Sequence, residues 1–538
     1  MSLDPAALQI LVSRLTGVAE EMGAVLQRAA FSPNIKERAD CSAALFTADG
    51  ALLVQAEHIP VHLGSMPASV RAAIDRFGSS LAPGDQVILN DPFAGGTHLN
   101  DITLVAPCFV GDRLVGWVAN RAHHADVGGA APGSLPADAV EVFEEGLRIP
   151  PVKLTDEVRA VLVANSRTPV ERDGDLHAQI GANVLGVERL RVYADEPLHE
   201  VLDYGERRMR AELASLPDGS WRFEDVVDSF GPEPHQQVET RIVVTMTVDG
   251  DEVTFDFTGT DPQRPGNVNA VEAVTVSSVT FALRSALDPT LPSNGGVLRP
   301  VHVHAPAGTI VNARPPAAVG AGNVEVSQRV ADVCLGALAL ALPGRVGAAS
   351  QGTMNNVLIG GAGWVYYETV AGGQGGRSFR RGMSGVHTAM TNTDQVDYRS
   401  AEPRPGQSGI HTAMTNTRNT PIEALERAFP LRVLRFRLRQ GSGGAGWSAG
   451  GEGIERDLQV LEDATVSLIT ERRVSQPWGL TGGEPGAVGE NWLLPGGDEA
   501  RAERLPDKCT IQLKAGDVLR MLTPGGGGWG RPTGTDSS

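Results

Sequence analysis

The first helix of the chain is predicted by apolar residues that recur at alternating spacings of three and four. Asp4 is typical of a helix N-cap and Pro5 of the first helical position. The apolar residues that follow share one face of such a helix: Leu8, Leu11, Leu15, Val18, Met22 and Val25. The chain is therefore expected to begin with an amphipathic helix. A second helical pattern, rich in charged residues, covers about 186–216 and predicts a helical bridge.

Two-residue turns between apolar runs predict three β-hairpins. Dipeptides such as Asp-Gly favour the tight turns that join antiparallel strands. The predicted strand pairs are 42–48 with 51–56 around Asp49-Gly50, 102–110 with 113–120 around Gly111-Asp112, and 241–248 with 251–258 around Asp249-Gly250. The first two hairpins frame the candidate chemistry described below.

The predicted fold class is α+β. We expect a large mixed body, rich in β-hairpins, with the N-terminal amphipathic helix and a β-rich, glycine-rich C-terminal half; the 64 Gly and 35 Pro residues indicate many tight turns. The hypothesis for domains is a region 1–225 that carries the site and a β-rich region 226–530 with one buried helix at about 324–342. Residues 531–538 are expected to form a disordered tail.

Charge and composition narrow the possible partners. The formal net charge of −18 opposes binding to nucleic acid and to anionic membranes. No apolar stretch approaches the ~20 residues that span a bilayer, and no basic segment followed by an apolar run opens the chain, so we expect a cytoplasmic protein. The cysteines lack any Cys-x-x-Cys spacing and are interpreted as reduced core residues: Cys41, Cys108, Cys334 and Cys509.

Lysine is rare in this chain, and its placement bears on nucleotide binding. The four lysines are Lys36, Lys153, Lys508 and Lys514, and none follows the glycine pattern of a phosphate-binding P-loop. If the reaction uses ATP, we expect another chain to hold it.

Three residues with metal-binding side chains converge at the open end of the second predicted hairpin. His98 and Asp101 directly precede its first strand, and His123 follows its second strand. Because the two ends of an antiparallel hairpin opposite its turn are neighbours, these residues are predicted to lie together. Asp40 stands in the same relation to the first hairpin and completes a set of two imidazoles and two carboxylates. Such a set suits Zn, Mn, Fe or Co and leaves positions open for water and substrate.

Two further residues follow His123 directly. His124 and Asp126 are predicted to act in proton transfer or to support the metal ligands. The alternative is that all these side chains are strand-end polar residues satisfied by backbone groups, since a His near an Asp is common. Residues that line the substrate pocket are not identifiable from the sequence.

Other polar segments carry weaker signals. His58 and His62 either line the site or pack within a turn, and the sequence favours neither. Glu37 and Arg38 either form a solvated ion pair, which is the preferred interpretation, or reach the metal centre. Glu471-Arg472-Arg473 is interpreted as a structural ion-pair segment rather than an anion site. The glycine clusters at 372–376, 441–446 and 525–530 are interpreted as turns rather than as phosphate cradles.

One segment of nine residues is repeated. Residues 385–393 (Gly-Val-His-Thr-Ala-Met-Thr-Asn-Thr) recur at 409–417 with Ile in place of Val. Two copies are too few for a solenoid, so a local duplication that creates a surface insertion is the preferred interpretation.

Several motifs together resemble the hydantoinase B/oxoprolinase family, which includes the B subunits of N-methylhydantoinase, 5-oxoprolinase and caprolactamase systems. The matching segments extend over nearly the whole chain: Asn34–Arg38, His58–Met66, Asn90–Pro92, Gly95–His98, Ala122–Gly129, Glu145–Pro151, Asp256–Thr260, Thr417–Glu423 and Pro477–Leu480. The metal-ligand pattern of the family falls on Asp40, His98, Asp101 and His123, the residues already reached from hairpin geometry. Relatives carry a single copy of the repeated segment, which leads into Arg-Asn-Thr-Pro, so 409–417 is the matching copy and the role of 385–408 is not assigned.

The resemblance implies an enzyme of two kinds of subunit. A partner of the hydantoinase A type binds ATP and phosphorylates the carbonyl oxygen of a hydantoin, 5-oxoproline or lactam ring, and the B subunit hydrolyses the activated compound with the help of a divalent metal. It also implies a homodimer within a hetero-oligomer. The alternative is a subunit of a ketone carboxylase of the acetone or acetophenone carboxylase type, and a third hypothesis is a metal-stabilised scaffold without catalytic function.

Overall fold

A computed structural model describes residues 3–57, 60–62, 64–288, 290–378 and 419–532. The repeated segments at 385–393 and 409–417, His58, and most of the predicted tail lie outside the described residues. The helices are α1 Pro5–Ala29, α2 Pro33–Lys36, α3 Ser65–Phe77, α4 Val142–Glu145, α5 Asp156–Ala164, α6 Pro169–Leu190, α7 His199–Leu213, α8 Glu272–Ala286, α9 Ser327–Ala341 and α10 Ile422–Ala428. A turn of π-helix, Gly322–Val326, leads directly into α9.

The strands form antiparallel or mixed sheets, which confirms the α+β class. A six-stranded sheet has the order β2-β1-β5-β4-β3-β6, and a four-stranded sheet has the order β10-β9-β8-β7. The C-terminal half adds a four-stranded sheet, β12-β11-β15-β18, and a five-stranded sheet, β13-β14-β19-β16-β17. Their bounds are β1 Cys41–Thr47, β2 Leu52–Glu57, β3 Val87–Leu89, β4 Asp101–Val110, β5 Arg113–His123, β6 Val152–Lys153, β7 Gly219–Val227, β8 Thr240–Asp249, β9 Glu252–Asp256, β10 Val301–His304, β11 Asn356–Gly361, β12 Trp364–Thr369, β13 Leu431–Arg439, β14 Gly453–Val460, β15 Ala464–Ile469, β16 Glu490–Leu494, β17 Glu503–Leu505, β18 Lys508–Leu513 and β19 Val518–Leu522.

The three predicted hairpins and the N-terminal helix are confirmed. β1 pairs with β2, β4 with β5, and β8 with β9, each antiparallel. The Asp4 side chain accepts hydrogen bonds from the amides of Ala6 and Ala7, as expected of an N-cap. The helical bridge is present as α6 and α7, and the predicted buried helix as α9.

The division of the chain at residue 225 stays a prediction; that residue lies within β7. All four cysteines are buried and free, as predicted. Among the described residues, no helix combines the length and the apolar character that a membrane crossing requires.

Each layer of the fold has its own apolar core. The buried face of α1 packs with Ala43, Leu45 and Val118 of the six-stranded sheet. The sheet of β7 to β10 packs against α8 and α9, whose residues Val279 and Val330 are buried in its core. The described residues thus place α1 and the bridge over one face of the first sheet, and leave the open end of hairpin β4-β5 directed toward the C-terminal half.

The glycine clusters build a dense packing of extended chain segments. A Cβ atom on Gly526 would lie 2.1 Å from the Gln374 carbonyl oxygen, and one on Gly527 would lie 2.1 Å from the Trp478 carbonyl oxygen. The amides of this run donate to backbone carbonyls, for example Gly526 to Gly451 at 2.9 Å. Because these amides already have protein acceptors, the structural interpretation of 525–530 is favoured over a phosphate cradle.

Glu471-Arg472-Arg473 forms the buried ion-pair segment predicted from the sequence. Glu471 accepts from Lys508 at 2.5 Å, and Arg472 contacts Asp225 at 2.7 Å. Buried charges of this kind need partners of opposite sign, because removing them from water is costly. The network joins β7 of one sheet to the segments around β15 and β18 of another.

The close packing of these glycines predicts that an added methyl group lowers stability at some glycine positions and not at others. Gly526→Ala is expected to lower the free energy of unfolding by about 1–3 kcal/mol, because the methyl group would overlap a backbone carbonyl that cannot move alone. Gly17→Ala is the matched control: no atom lies within 4 Å of its added Cβ in α1, and a gain of roughly 0.5–1 kcal/mol is expected from helix propensity. Urea unfolding of both variants measures the difference; equal stabilities would contradict the packing argument.

Candidate metal centre

The register of hairpin β4-β5 brings together the residues at the centre of the site. Asp101 is the first residue of β4, His123 is the last residue of β5, and the two are directly paired across the strands. His98 lies in the turn that leads into β4, where the Asp101 amide donates to the His98 carbonyl at 3.1 Å. The convergence of these three residues, predicted from hairpin topology, is present in the structure.

The three side chains surround one point. His98 Nδ1 lies 3.1 Å from Asp101 Oδ2, and His123 Nδ1 lies 3.5 Å from Asp101 Oδ1. One ligand atom from each residue can be chosen so that all lie within 4.8 Å of one another, and all three residues are buried. This spacing is small enough for a single metal ion to be shared.

A third imidazole belongs to the same cluster. His62 Nε2 lies 3.4 Å from Asp101 Oδ2, and His62 Nδ1 lies 2.9 Å from the hydroxyl oxygen of Ser42. Thr97 donates to the same Asp101 oxygen at 2.6 Å. Of the two interpretations left open for His62, the structure supports the one in which it lines the site.

Burial and charge act in opposite directions on Asp101. Burial raises the pKa of the carboxyl group, but the neighbouring imidazoles of His98 and His62 outweigh this effect and hold the pKa well below its usual range. Burial lowers the pKa of His123 to about 4, and burial likewise lowers the pKa of His62. The arrangement therefore favours an ionised carboxylate at Asp101 and uncharged imidazoles at His123 and His62, and metal ligands of these types bind in those protonation states.

Asp40 lies beside this group. It lines the same small cavity as Asp101 and His123, and its backbone carbonyl accepts from the His123 amide at 3.0 Å. Burial, with a smaller contribution from the charge of Asp101, raises the pKa of Asp40 to about 7, although Arg38 opposes the shift. The group within 4.8 Å consists of His98, Asp101 and His123, so the assignment of Asp40 as a fourth ligand stays a prediction.

The hydrogen bonding of the imidazoles provides a test of whether the residues fit a metal. Nε2 of His98 and Nε2 of His123 are buried and have no hydrogen-bond partner among the described residues, whereas His98 Nδ1 and His62 Nε2 lie against the Asp101 carboxylate. A buried polar atom without a partner is costly, and a bound cation would satisfy several of these atoms at once. Two or three imidazoles with one carboxylate suit Zn, Mn, Fe or Co. The residues present therefore fit a divalent transition metal, whose identity stays a prediction.

The C-terminal half supplies the outer wall of the site. The ring of Tyr367 stacks on His123, with 4.9 Å between ring centroids, and the guanidinium of Arg38 lies 4.6 Å from the centroid of the Tyr367 ring. Arg38 is buried and donates to the Tyr367 carbonyl at 2.7 Å, so its interpretation as half of a solvated ion pair is wrong. Asn323 of the π-helical turn and Met354 also line the cavity. Sequence reasoning missed these wall residues, because no local pattern relates them to β4-β5.

His124 and Asp126 have other contacts. His124 Nε2 lies 2.9 Å from Gln179 Oε1 of α6. Asp126 forms an ion pair with Arg167 at 2.9 Å and accepts from the amides of Gly128 and Gly133. These contacts give both residues a structural role, and a catalytic role for them stays a prediction.

Comparisons with known proteins identify the family to which the chain belongs. The profile of the hydantoinase B/oxoprolinase family matches residues 4–405 and 399–532. The chain belongs to this family. The two matches overlap at 399–405, which lie between the two copies of the repeated segment.

Two relatives of different length are similar to this chain. The chain is 36% identical to 5-oxoprolinase 1 of Arabidopsis thaliana over 98% of its own length but only 42% of the relative. It is 32% identical to the putative B subunit of a D-/L-hydantoinase from a Pseudomonas species, over 98% of the chain and 90% of the relative. The chain therefore spans less than half of the first relative and nearly all of the second.

Two solved structures share the fold. ATP-dependent caprolactamase from Pseudomonas jessenii superposes with a TM-score of 0.85 at 27% identity, over 99% of this chain and 93% of that chain. Acetone carboxylase superposes with a TM-score of 0.86 at 21% identity, over 98% of this chain and 76% of that chain. The second similarity shows the fold alone.

Removal of a cluster ligand is expected to remove metal. His98→Ala, Asp101→Ala and His123→Ala should each lower the metal affinity by at least ~100-fold, because even the loss of a supporting residue can cost 10–100-fold. Metal analysis of the purified chains after dialysis measures the loss. His177→Ala is the control, since the side chain of His177 is 54% exposed. Unchanged metal content in the Asp101 variant would remove Asp101 from the ligand set.

Asp126→Ala is expected to destabilise the chain. The free energy of unfolding should fall by about 2–4 kcal/mol, because Arg167 and two amides lose a buried acceptor. Chemical denaturation measures this change, and metal content should match the wild type. If the folded variant retains metal but its turnover falls as far as that of His98→Ala, Asp126 has the catalytic role predicted from the sequence.

Proposed function

We propose that this chain is the metal-dependent hydrolytic subunit of an ATP-dependent, two-subunit cyclic-amide hydrolase. The observation that carries the proposal is the buried His98-Asp101-His123 group, in which Nε2 of both imidazoles has no hydrogen-bond partner among the described residues. Membership of the hydantoinase B/oxoprolinase family supports a ring amide as the substrate class. Similarity to a caprolactamase over nearly the whole chain supports the same class.

ATP is assigned to a partner of the hydantoinase A type. One relative is named as one subunit of a hydantoinase, the B subunit, and the chain spans 42% of a plant 5-oxoprolinase, which leaves room for a second activity in that longer protein. None of the four lysines stands in a P-loop pattern. A homodimer within the hetero-oligomer remains part of the proposal.

Activation by phosphate overcomes the low reactivity of an amide. The ring carbonyl oxygen takes the terminal phosphoryl group of ATP and ADP leaves. Water then adds to the activated carbon, the bond from this carbon to the ring nitrogen breaks, and the nitrogen keeps the electron pair and takes up a proton. A second water releases inorganic phosphate, so one ring, one ATP and two waters give the ring-opened acid, ADP and phosphate. This acid is an amino acid from 5-oxoproline or a lactam and an N-carbamoyl amino acid from a hydantoin.

The residues of this chain prepare the site for the attack of water. A bound divalent metal would supply a Lewis acid that polarises oxygen and lowers the pKa of water. Thr97 and Ser42 fix the orientations of Asp101 and His62 through the hydrogen bonds described above. The near-complete burial of these side chains excludes bulk water, which strengthens electrostatic interactions with the developing charge.

The alternative is a carboxylase subunit. The similarity to acetone carboxylase extends to the fold only, and such an enzyme would join bicarbonate-derived carbon to an activated enolate. The two functions differ in a measurable product: a stable acid that contains labelled bicarbonate carbon arises only from the carboxylase.

Reconstitution with the partner tests the proposal. The wild-type chain, mixed with its A-type partner, ATP and one of hydantoin, 5-oxoproline or ε-caprolactam, is expected to release ADP and open the ring. Chromatographic detection of the ring-opened acid and a coupled ADP assay measure the two products. Absence of ring opening across this panel, or incorporation of labelled bicarbonate, would contradict the proposal.

The same assay separates catalysis from a scaffold role. His98→Ala should lower ring opening by at least ~100-fold, because the attack of water depends on the metal. His177→Ala, at an exposed position, is the control. A scaffold without catalytic function predicts that the folded fraction of His98→Ala, measured by circular dichroism, keeps full turnover.

A further inference from the structure

The cavity beside the metal centre has the size of a water site, and polar side chains line it from two sides. It measures about 10 Å³ and is lined by Asp40, Asp101 and His123 on one side and by Asn323 and Tyr367 on the other. A volume of this size holds about one water molecule, and a buried water normally makes two to four hydrogen bonds. The cavity is thus too small for a ring substrate but suits the second reactant.

Asn323 lines this cavity from the C-terminal half and carries a side-chain acceptor that lacks a partner among the described residues. It is 3% exposed, and its side-chain Oδ1 is buried without a hydrogen-bond partner among the described residues. Its backbone carbonyl is occupied, because it accepts from the Ser327 hydroxyl at 2.6 Å. A buried amide oxygen without a partner is unfavourable, so a donor is expected at this position.

The π-helical turn explains why Asn323 lies at the cavity. The turn packs against the preceding loop so closely that a Cβ on Gly322 would lie 1.8 Å from the Asn269 carbonyl oxygen. Single π-helical turns often occur at functional sites, where they redirect side chains. Here the wider turn places Asn323 and Val324 on the cavity wall.

Glu325, which follows Val324 in the same turn, holds the turn in place. Its Oε1 accepts from the Met354 amide at 3.1 Å and from Asn356 Nδ2 at 2.8 Å. Asn356 Oδ1 in turn accepts from the Tyr367 hydroxyl at 2.8 Å. The turn that carries Asn323 is therefore tied to β11 and β12, and through Tyr367 to the ring of His123.

We propose that Asn323 Oδ1 accepts a hydrogen bond from the attacking water and holds it beside the metal centre. The proposal rests on the proposed hydrolytic function, for which it names the residue that positions the nucleophile. When one O–H of the water donates to Asn323, the orientation of the other O–H and of the lone pairs is set by the walls of the cavity and not by bulk solvent. Correct orientation of this kind lowers the barrier to attack.

Two variants of similar size test the acceptor. Asn323→Leu removes it, whereas Asn323→Asp keeps an oxygen at the same reach. In the reconstituted complex, with 5-oxoproline or another panel ring and ATP, the Leu variant is expected to lower the kcat of ring opening by about 10–100-fold. ADP release should fall less, so more ADP is released per opened ring than in the wild type. The Asp variant should recover part of the coupling.

A purely structural role would give a different pattern. General damage lowers ADP release and ring opening together and reduces metal content or thermal stability, so both are measured for each variant. Should the Leu variant fold poorly, Asn323→Ala provides a smaller change that also removes the acceptor. A Leu variant with wild-type kcat and wild-type ADP per ring overturns the role of Asn323.

A second measurement does not depend on activity. A high-resolution crystal structure of the wild-type chain with metal is expected to show an ordered water within about 3.2 Å of Asn323 Oδ1, and none there in Asn323→Leu. No water at this position in the wild type would overturn the inference. If the wild-type complex opens no ring, the proposed function fails, and the inference about Asn323 fails with it. If the wild-type complex is active but Asn323→Leu is unaffected, only the inference about Asn323 fails.

Discussion

Burial of the Asp101 carboxylate is the constraint on which the site depends. A charge removed from water must be compensated locally, and here the compensation comes from Thr97 and the imidazoles of His62 and His98. The cross-strand pairing with His123 fixes the carboxylate within the sheet. A buried carboxylate with imidazoles packed around it is also a set of side chains that suits a cation, so the burial that constrains folding also shapes the candidate metal centre.

The remainder of the structure preserves this arrangement from outside. Arg38 bonds to the backbone of Tyr367 and to the hydroxyl of Thr369, and so joins the segment before β1 to β12 of the C-terminal half. Farther away, the buried contacts of Glu471 with Lys508 and of Arg472 with Asp225 hold the C-terminal sheets together. Loss of one partner in such a network leaves an uncompensated buried charge, so the outer wall of the site has little freedom to move independently.

The sequence predicted the parts of the site that depend on local topology. Asp101 and His123 meet because a hairpin brings its own ends together, and their register follows from a recognisable turn. His62 was left undecided, because it lies on a short turn whose direction depends on packing with Ser42. Tyr367 and Asn323 were not identified at all. They are more than 190 residues from the β4-β5 hairpin along the chain. Neither the periodicity nor the spacing of residues indicates which two sheets of a protein with several sheets pack against each other.

The division of the site between the two halves has a chemical consequence. The side that carries the candidate metal ligands is fixed by strand register, and any slip of that register would turn Asp101 away from His123. Its outer wall, formed by the π-helical turn and β12, is attached through side-chain hydrogen bonds such as those of Glu325 and Asn356. Side chains on that wall can therefore change without altering the register of the hairpin.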